Sequence, residues 1–169
     1  MKHRDTIRRF CLWWAVLGFS LWVGGTVFHM LVIVPLWSAS PPESVRAFFH
    51  GTDFNRTVWN FFGPPWMVAR SVPLLVALLL GWRSPAHRRF LLIATACMLF
   101  GVVYTVAYIY PINTVLMTQA GGTGTPDEIR ALVHRWIFAD RLRFGIGLVG
   151  FLALLRAFST PISADRNAG

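Results

Sequence analysis

The sequence predicts an all-α, polytopic membrane protein whose four transmembrane helices form an antiparallel bundle. Its 169 residues suit a single domain, and only 14% of them are charged, whereas a soluble domain carries about 25%. The mean hydropathy is +0.53. The charged residues are gathered into short runs that separate long apolar blocks, as is typical of a chain that crosses a bilayer several times.

Four apolar blocks reach the ~20 residues that a helix needs to cross the hydrocarbon. They lie at about residues 10–37, 64–82, 90–110 and 136–158. The first exceeds the ~7–15 residues of a signal-peptide core, so we predict that it is a retained transmembrane helix. Pro35 is expected to end or bend it, Pro73 to kink the second helix and Pro111 to stop the third. Residues 159–169 are predicted to form a flexible tail.

The fourth block is preceded by a strong helix start. Thr125 is followed by Pro126 and by two acidic residues, which is the pattern of a capping residue, a first-turn proline and favourable charges. We therefore expect an interfacial helix that the fourth transmembrane helix continues.

The net charge of +9 favours anchoring at lipid headgroups over nucleic-acid binding, because the basic residues flank apolar segments. The positive-inside rule predicts a cell (inner) membrane protein with both termini in the cytoplasm. That side then carries Lys2, Arg4, Arg8, Arg9, Arg83, Arg88, Arg89, Arg156 and Arg166, against Asp5 and Asp165. The opposite side has nearly balanced charges.

Polar side chains at membrane depth point to a site, since an ionisable residue there needs a partner or a function. Candidates occur on all four predicted helices, and all belong to the half of the bundle remote from the termini: His29, Arg70, Tyr104, Tyr108, Asp140 and Arg143. The other half is almost wholly apolar. This asymmetry predicts a polar pocket that opens outward above an apolar floor.

Structural roles compete with a site at each of these positions. Arg70 has a stem long enough to reach the headgroups, or it pairs with Asp140 to hold two helices together. His29 is equally suited to an interhelical hydrogen bond. Tyr104 and Tyr108 suit packing roles with locally satisfied hydroxyls.

The sequence predicts no metal and no cofactor. Cys11 and Cys97 form no CxxC, and neither a carboxylate pair nor HExxH is present. Haem is the alternative, because four-helix bundles can hold it between two histidines. His29 would be one axial ligand, and His134 or a different residue type would have to supply the other.

Two short motifs resemble the anthrone oxygenase-like membrane family. Residues 110–116, with Pro111, Asn113 and Leu116, resemble its P-x-N-x-x-L signature, and residues 136–143 resemble its W-x-x-x-N-x-x-R signature. The first helix is also similar, with a mid-helix Gly25 and Pro-Leu-Trp at residues 35–37. Asp140 stands where the family usually has Asn, and neither His29 nor Arg70 matches a family motif.

This resemblance implies a four-helix fold and, for some members, oxidation of anthrones to anthraquinones without a bound metal. Such a reaction needs a base, a cation that stabilises an enolate-like anion, and a dry aromatic pocket. The candidates for these catalytic roles are His29, Asp140, Arg70 and Arg143, of which the first two are possible bases. Candidates for binding an aromatic or quinone-like substrate are Tyr104, Tyr108, Asn113 and Trp136.

A non-catalytic membrane accessory subunit or small-molecule binder is the competing hypothesis. In that case Asn113, Trp136, Asp140 and Arg143 would lock the third helix to the fourth, with no cavity between them. A transporter is less favoured, because the sequence has no inverted repeat and no paired broken helices.

Overall fold

A computed structural model of the chain describes residues 2–50, 52–119, 122 and 124–161, and no strand occurs in this part of the chain. Six helices follow one another. They are α1 (Lys2–Phe28, continued by His29–Ile33 and Val34–Ser38), α2 (Glu43–His50), α3 (Phe54–Phe62), α4 (Pro64–Gly81), α5 (Pro85–Tyr104, continued by Thr105–Ile109, Tyr110–Asn113 and Thr114–Thr118) and α6 (Pro126–Ser159). Of the predicted tail, residues 162–169 lie outside the described residues.

Helices α1, α4, α5 and α6 form the bundle, and the described residues contain four helical stretches long and apolar enough to cross a membrane. Around the bundle, α1 packs on α4 and α6, and α5 packs on α4 and α6. The predicted all-α membrane bundle is therefore confirmed. Large apolar side chains such as Leu31, which is 73% exposed, cover the outside of the bundle. Lipid tails can solvate such a surface at no cost in free energy.

The buried core has two parts, one at each end of the bundle. We call the end with Gly81, Pro85 and Ser159 the terminal end, and the other the distal end. Small and aliphatic residues fill the terminal end, including Leu12, Ala15, Leu74, Ala77, Leu91, Ala94, Leu154 and Ala157. Larger rings pack at the distal end, including Trp37, Phe49 and Trp136.

Pro35 and Pro111 lie inside continuous helices, so the prediction that Pro111 stops the third helix is wrong. A helical proline clashes with the carbonyl four residues before it. Here those carbonyls belong to Leu31 and Ala107, and both lie in wider π-helical turns, His29–Ile33 and Thr105–Ile109. The wider turn makes room for the proline ring, so the helix continues to Ser38 in α1 and to Thr118 in α5.

Pro73 is accommodated differently, within the α-helical α4. It cannot donate to the carbonyl of Ala69, four residues earlier. The indole N–H of Trp14 on α1 donates to that oxygen instead, at 2.9 Å. A side chain of a neighbouring helix therefore satisfies the acceptor that the proline leaves unpaired.

Trp14→Phe is expected to destabilise the protein by about 1 kcal/mol, because it leaves the Ala69 carbonyl unpaired. Chemical unfolding in detergent would measure the change. In a Pro73→Ala background the new backbone N–H can bond to Ala69, so the same substitution should cost less there. An equal cost in both backgrounds would show that the indole does not replace the missing helical bond.

The predicted start of the last helix is confirmed. The hydroxyl of Thr125 accepts from the Glu128 N–H, and the Glu128 carboxylate accepts from the Thr125 N–H at 2.8 Å. From there α6 runs for 34 residues without a break. At 1.5 Å per residue it is about 51 Å long, which exceeds the ~30 Å of hydrocarbon. The helix is therefore long enough to extend beyond the membrane core.

Candidate functional site

A cavity of about 310 Å³ lies at the distal end, between α1, α3, α5 and α6. We call it the main cavity. Its apolar wall includes Phe54, Val58, Phe62, Ile109, Met117 and Trp136, and its polar wall includes Thr26, His29, Thr105, Asn113, Thr114 and Arg143. Its volume is at the lower end of the ~300–1,000 Å³ of small-molecule pockets. An apolar wall with a few convergent polar groups is typical of such pockets.

His29 faces this cavity from an aromatic cage. Its side chain is buried, and its ring stacks on Phe54 at 6.1 Å between ring centroids. Phe62 and Trp136 meet the imidazole edge-on, at 6.0 and 5.7 Å. His29 is also the first residue of the π-helical turn in α1, and it lines the same cavity as Arg143. A ring that can accept or release a proton therefore lies at the wall of the cavity that the Arg143 guanidinium also faces.

Arg143 is fixed from two helices. Its Nη2 donates to the Asp140 carboxylate one turn earlier on α6, and its Nη1 donates to the Thr105 hydroxyl on α5 at 3.2 Å. That hydroxyl in turn donates to the Gly101 carbonyl at 2.7 Å. Asp140 is only 1% exposed and does not line the main cavity. The carboxylate therefore positions the guanidinium from behind.

The side chains of Trp136 and Asn113 join α6 to α5. The Trp136 Nε1 lies 2.5 Å from the Asn113 Oδ1. An indole N–H can only donate, so its partner must be the amide oxygen. This fixes the orientation of the amide and leaves the Nδ2 hydrogens of Asn113 as donors at the cavity wall.

Arg70 lies beside a different cavity of about 50 Å³, the second cavity. Its guanidinium carbon is 5.4 Å from the ring centroid of Phe19 and 5.0 Å from that of Trp22. Asp140 pairs with Arg143, so the alternative in which it pairs with Arg70 is wrong. Phe62, Thr105 and Arg143 line both cavities, which are therefore neighbours.

Tyr104 and Tyr108 are not part of the main cavity wall. Together with Phe100 they form a stacked aromatic row along α5, with centroid separations of 5.4 and 5.3 Å. Tyr108 is 42% exposed on the outside of the bundle. This position agrees with the alternative in which both tyrosines pack against neighbouring side chains and do not line a site.

His134, named above as a possible second haem ligand, is exposed and does not line the main cavity. Among the residues that the structure describes, no three or more His, Cys, Asp or Glu side chains are grouped as metal ligands would be. The geometry of these residues therefore adds no support to a bis-histidine haem.

Two groups of cavity residues were absent from the sequence-based candidates. Thr26 lies one turn before His29 on the same helix face, and Thr105 directly follows Tyr104. Both hydroxyls lie at the depth of the ionisable candidates, and that depth could have identified them. Phe54, Val58 and Phe62 come from α3, in a segment for which the sequence predicts no helix.

A bundle of four membrane-length helices with a largely apolar cavity at its distal end defines a multi-pass membrane protein with a candidate small-molecule site. Residues 54–153 match a family model described as anthrone oxygenase. That match covers more than half of the chain, so the protein belongs to the anthrone oxygenase family, as its motifs predict. No curated protein and no solved structure matches the chain. The matched region contains Asn113, Trp136, Asp140 and Arg143, whereas His29 precedes it.

Proposed function

We propose that the protein oxidises a polycyclic aromatic or quinol-type substrate with dioxygen in the main cavity, as in the conversion of an anthrone to an anthraquinone. The observation that carries this proposal is the convergence of His29, Asn113 and Arg143 on one largely apolar cavity. These side chains supply a base, a neutral donor and a cation, which are the groups that the reaction needs.

The reaction begins when a base removes a proton from the acidic benzylic carbon of the anthrone. The negative charge moves onto the ring oxygen, where the Asn113 amide and the Arg143 guanidinium donate hydrogen bonds to it. Dioxygen then adds to the carbanion, and the peroxide anion that forms takes the proton back from the base to give a hydroperoxide. Loss of water from the hydroperoxide forms the second carbonyl. Anthrone and O₂ thus give anthraquinone and water, with one oxygen atom from O₂ retained in the quinone.

His29 is the better placed of the two candidate bases. Its ring lines the main cavity, whereas Asp140 is buried behind Arg143 and bonded to it. A general base must come within hydrogen-bond reach of the proton that it removes. Asp140 is accordingly assigned as a positioning residue for Arg143, and the aromatic cage around His29 provides a surface on which flat substrate rings can stack.

The cavity also bears on the accessory-subunit hypothesis. A purely structural role for the Trp136–Asn113 and Asp140–Arg143 contacts would leave the space between α5 and α6 packed. Both contacts instead border a cavity large enough for a small ligand. This supports ligand binding over helix locking alone.

The proposed setting is the cell (inner) membrane, with both termini in the cytoplasm. The terminal end carries Arg4, Arg8, Arg9, Arg83, Arg88, Arg89 and Arg156. The positive-inside rule assigns that end to the cytoplasm. The main cavity then lies in the outer half of the membrane, where an apolar aromatic compound can reach it from the lipid.

The proposal is tested with purified protein in detergent, an anthrone and ¹⁸O₂. We expect oxygen uptake and anthraquinone formation above the rate of spontaneous oxidation, with one ¹⁸O atom per quinone. Heat-denatured protein in the same detergent is the control. A rate equal to that control with several anthrones and anthracenols would refute the proposed activity.

A further inference from the structure

The second cavity combines small size with excess positive charge. It lies between α1, α4, α5 and α6, and its wall includes the aromatic rings of Phe19 and Trp22 and the guanidinium groups of Arg70 and Arg143. Its volume of about 50 Å³ is too small for a polycyclic ring system but comparable with that of a small ion or a single planar group.

The positive charge around the second cavity exceeds the negative charge of the described residues that surround it. Two guanidinium groups face the second cavity, and Asp140 is the carboxylate bonded to one of them. The Nε and Nη1 of Arg70 and the Nε of Arg143 are buried, and none of the described residues accepts a hydrogen bond from them. Guanidinium N–H groups that are buried without an acceptor are costly in a medium of low dielectric constant.

Aromatic contacts hold Arg70 in place without neutralising it. The guanidinium packs against the rings of Phe19 and Trp22. Ring faces stabilise a cation, but they do not accept hydrogen bonds from the N–H groups that lie in the guanidinium plane. Gly18 permits this arrangement, because a Cβ at that position would lie 2.8 Å from the Arg70 Cβ. The close contact of α1 and α4 therefore fixes a planar donor group beside the cavity.

We propose that the second cavity is a binding site for one small monovalent anion, such as formate, nitrate or chloride, held between Arg70 and Arg143. A planar oxyanion matches the geometry of guanidinium N–H groups and supplies the missing negative charge. The same chemistry can come from a free anion or from a carboxylate on a substrate that occupies the neighbouring main cavity. Binding of a free anion requires no turnover, so this proposal stands or falls independently of the oxygenase proposal.

The test compares the thermal unfolding midpoint of the protein in sodium formate with that in sodium gluconate. Both measurements use the same non-ionic detergent and the same ionic strength. Gluconate is too bulky for the cavity. At about ten times the dissociation constant, formate should raise the midpoint by about 3–6 °C. Arg70→Met should abolish the shift. Arg130→Met, which removes an exposed arginine paired with Asp127, should retain it.

Equal midpoints in formate and gluconate for the wild-type protein would overturn the proposal, as would the same shift in Arg70→Met. If Arg70→Met does not fold, iodide quenching gives a second measurement. The fluorescence of Trp22 is obtained as the difference between the wild-type protein and Trp22→Phe. Iodide should quench this fluorescence, and formate should reduce the quenching. Quenching of Trp22 that formate does not reduce would contradict the proposal.

The two sources of the anion are distinguished by an aromatic carboxylate and its methyl ester. If the acid binds more tightly than the ester and formate competes with it, the site recognises a substituent of the substrate. If acid and ester bind equally while formate still raises the midpoint, the site holds a free anion. Both results support an anion site. If the acid and the ester bind equally and formate also leaves the midpoint unchanged, the proposal is overturned.

Discussion

Asp140→Ala is expected to lower the free energy of unfolding in detergent by about 3–5 kcal/mol, the usual cost of removing one partner from a buried ion pair. The Asp140 side chain is 2% exposed and that of Arg143 is 18% exposed. Without the carboxylate, the Arg143 guanidinium keeps only the Thr105 hydroxyl as an acceptor among the described residues. Two arginines would then face the second cavity with no adjacent negative charge. Denaturant titration would measure the loss.

Asp140→Asn should be much milder, because the amide oxygen still accepts from Arg143 and the family signature carries Asn at this position. Asp127→Ala is the matched control, since it breaks an exposed ion pair with Arg130 and should cost less than about 1 kcal/mol. Asp140→Ala combined with Arg143→Leu should recover part of the loss. If Asp140→Ala were as stable as the wild-type protein, the buried ion pair would contribute nothing to the stability of the bundle.

His29→Phe is expected to reduce turnover of an anthrone by about 10²- to 10⁴-fold, the usual contribution of a general base. The new ring suits the cage of Phe54, Phe62 and Trp136, so the protein should still fold. The measurement is the initial rate of quinone formation, with the unfolding midpoint recorded for the same preparation.

His134→Phe is the matched control for that substitution, because His134 is exposed and does not line the main cavity. It should leave turnover within about twofold of the wild-type rate, since it removes no proposed base. Asp140→Asn should retain most of the activity if the carboxylate only positions Arg143. Full activity of His29→Phe together with inactive Asp140→Asn would transfer the role of base to Asp140.

The fold was predictable because lipid imposes a simple rule on sequence. Backbone groups in the hydrocarbon must be satisfied within the segment, so four long apolar blocks imply four helices. The extent of those helices was less predictable. Local sequence rules indicate that Pro111 ends a helix, but a π-helical turn around Ala107 relieves the clash and α5 continues to Thr118.

The candidate site was predicted in part. Depth along each helix selected His29 and Arg143, and motifs selected Asn113 and Trp136. All four residues line the main cavity. The direction in which each side chain points around the helix axis was not predictable from its depth. Tyr108 faces outward, whereas the next residue, Ile109, is buried. The contribution of α3 was not predicted, because α3 lies in the connection between the first two predicted transmembrane helices.

The π-helical turns also divide the bundle into two parts that can vary separately. Three of them occur in the described residues, and His29, Thr105 and Thr114 each begin one and line the main cavity. A π-helical turn holds one more residue than an α-helical turn, so adding or removing such a residue rotates everything beyond it by about 100°. Related chains can therefore reshape the cavity end by single-residue insertions or deletions, while the small-residue core at the terminal end keeps its register. We expect length differences among family members to concentrate at these turns.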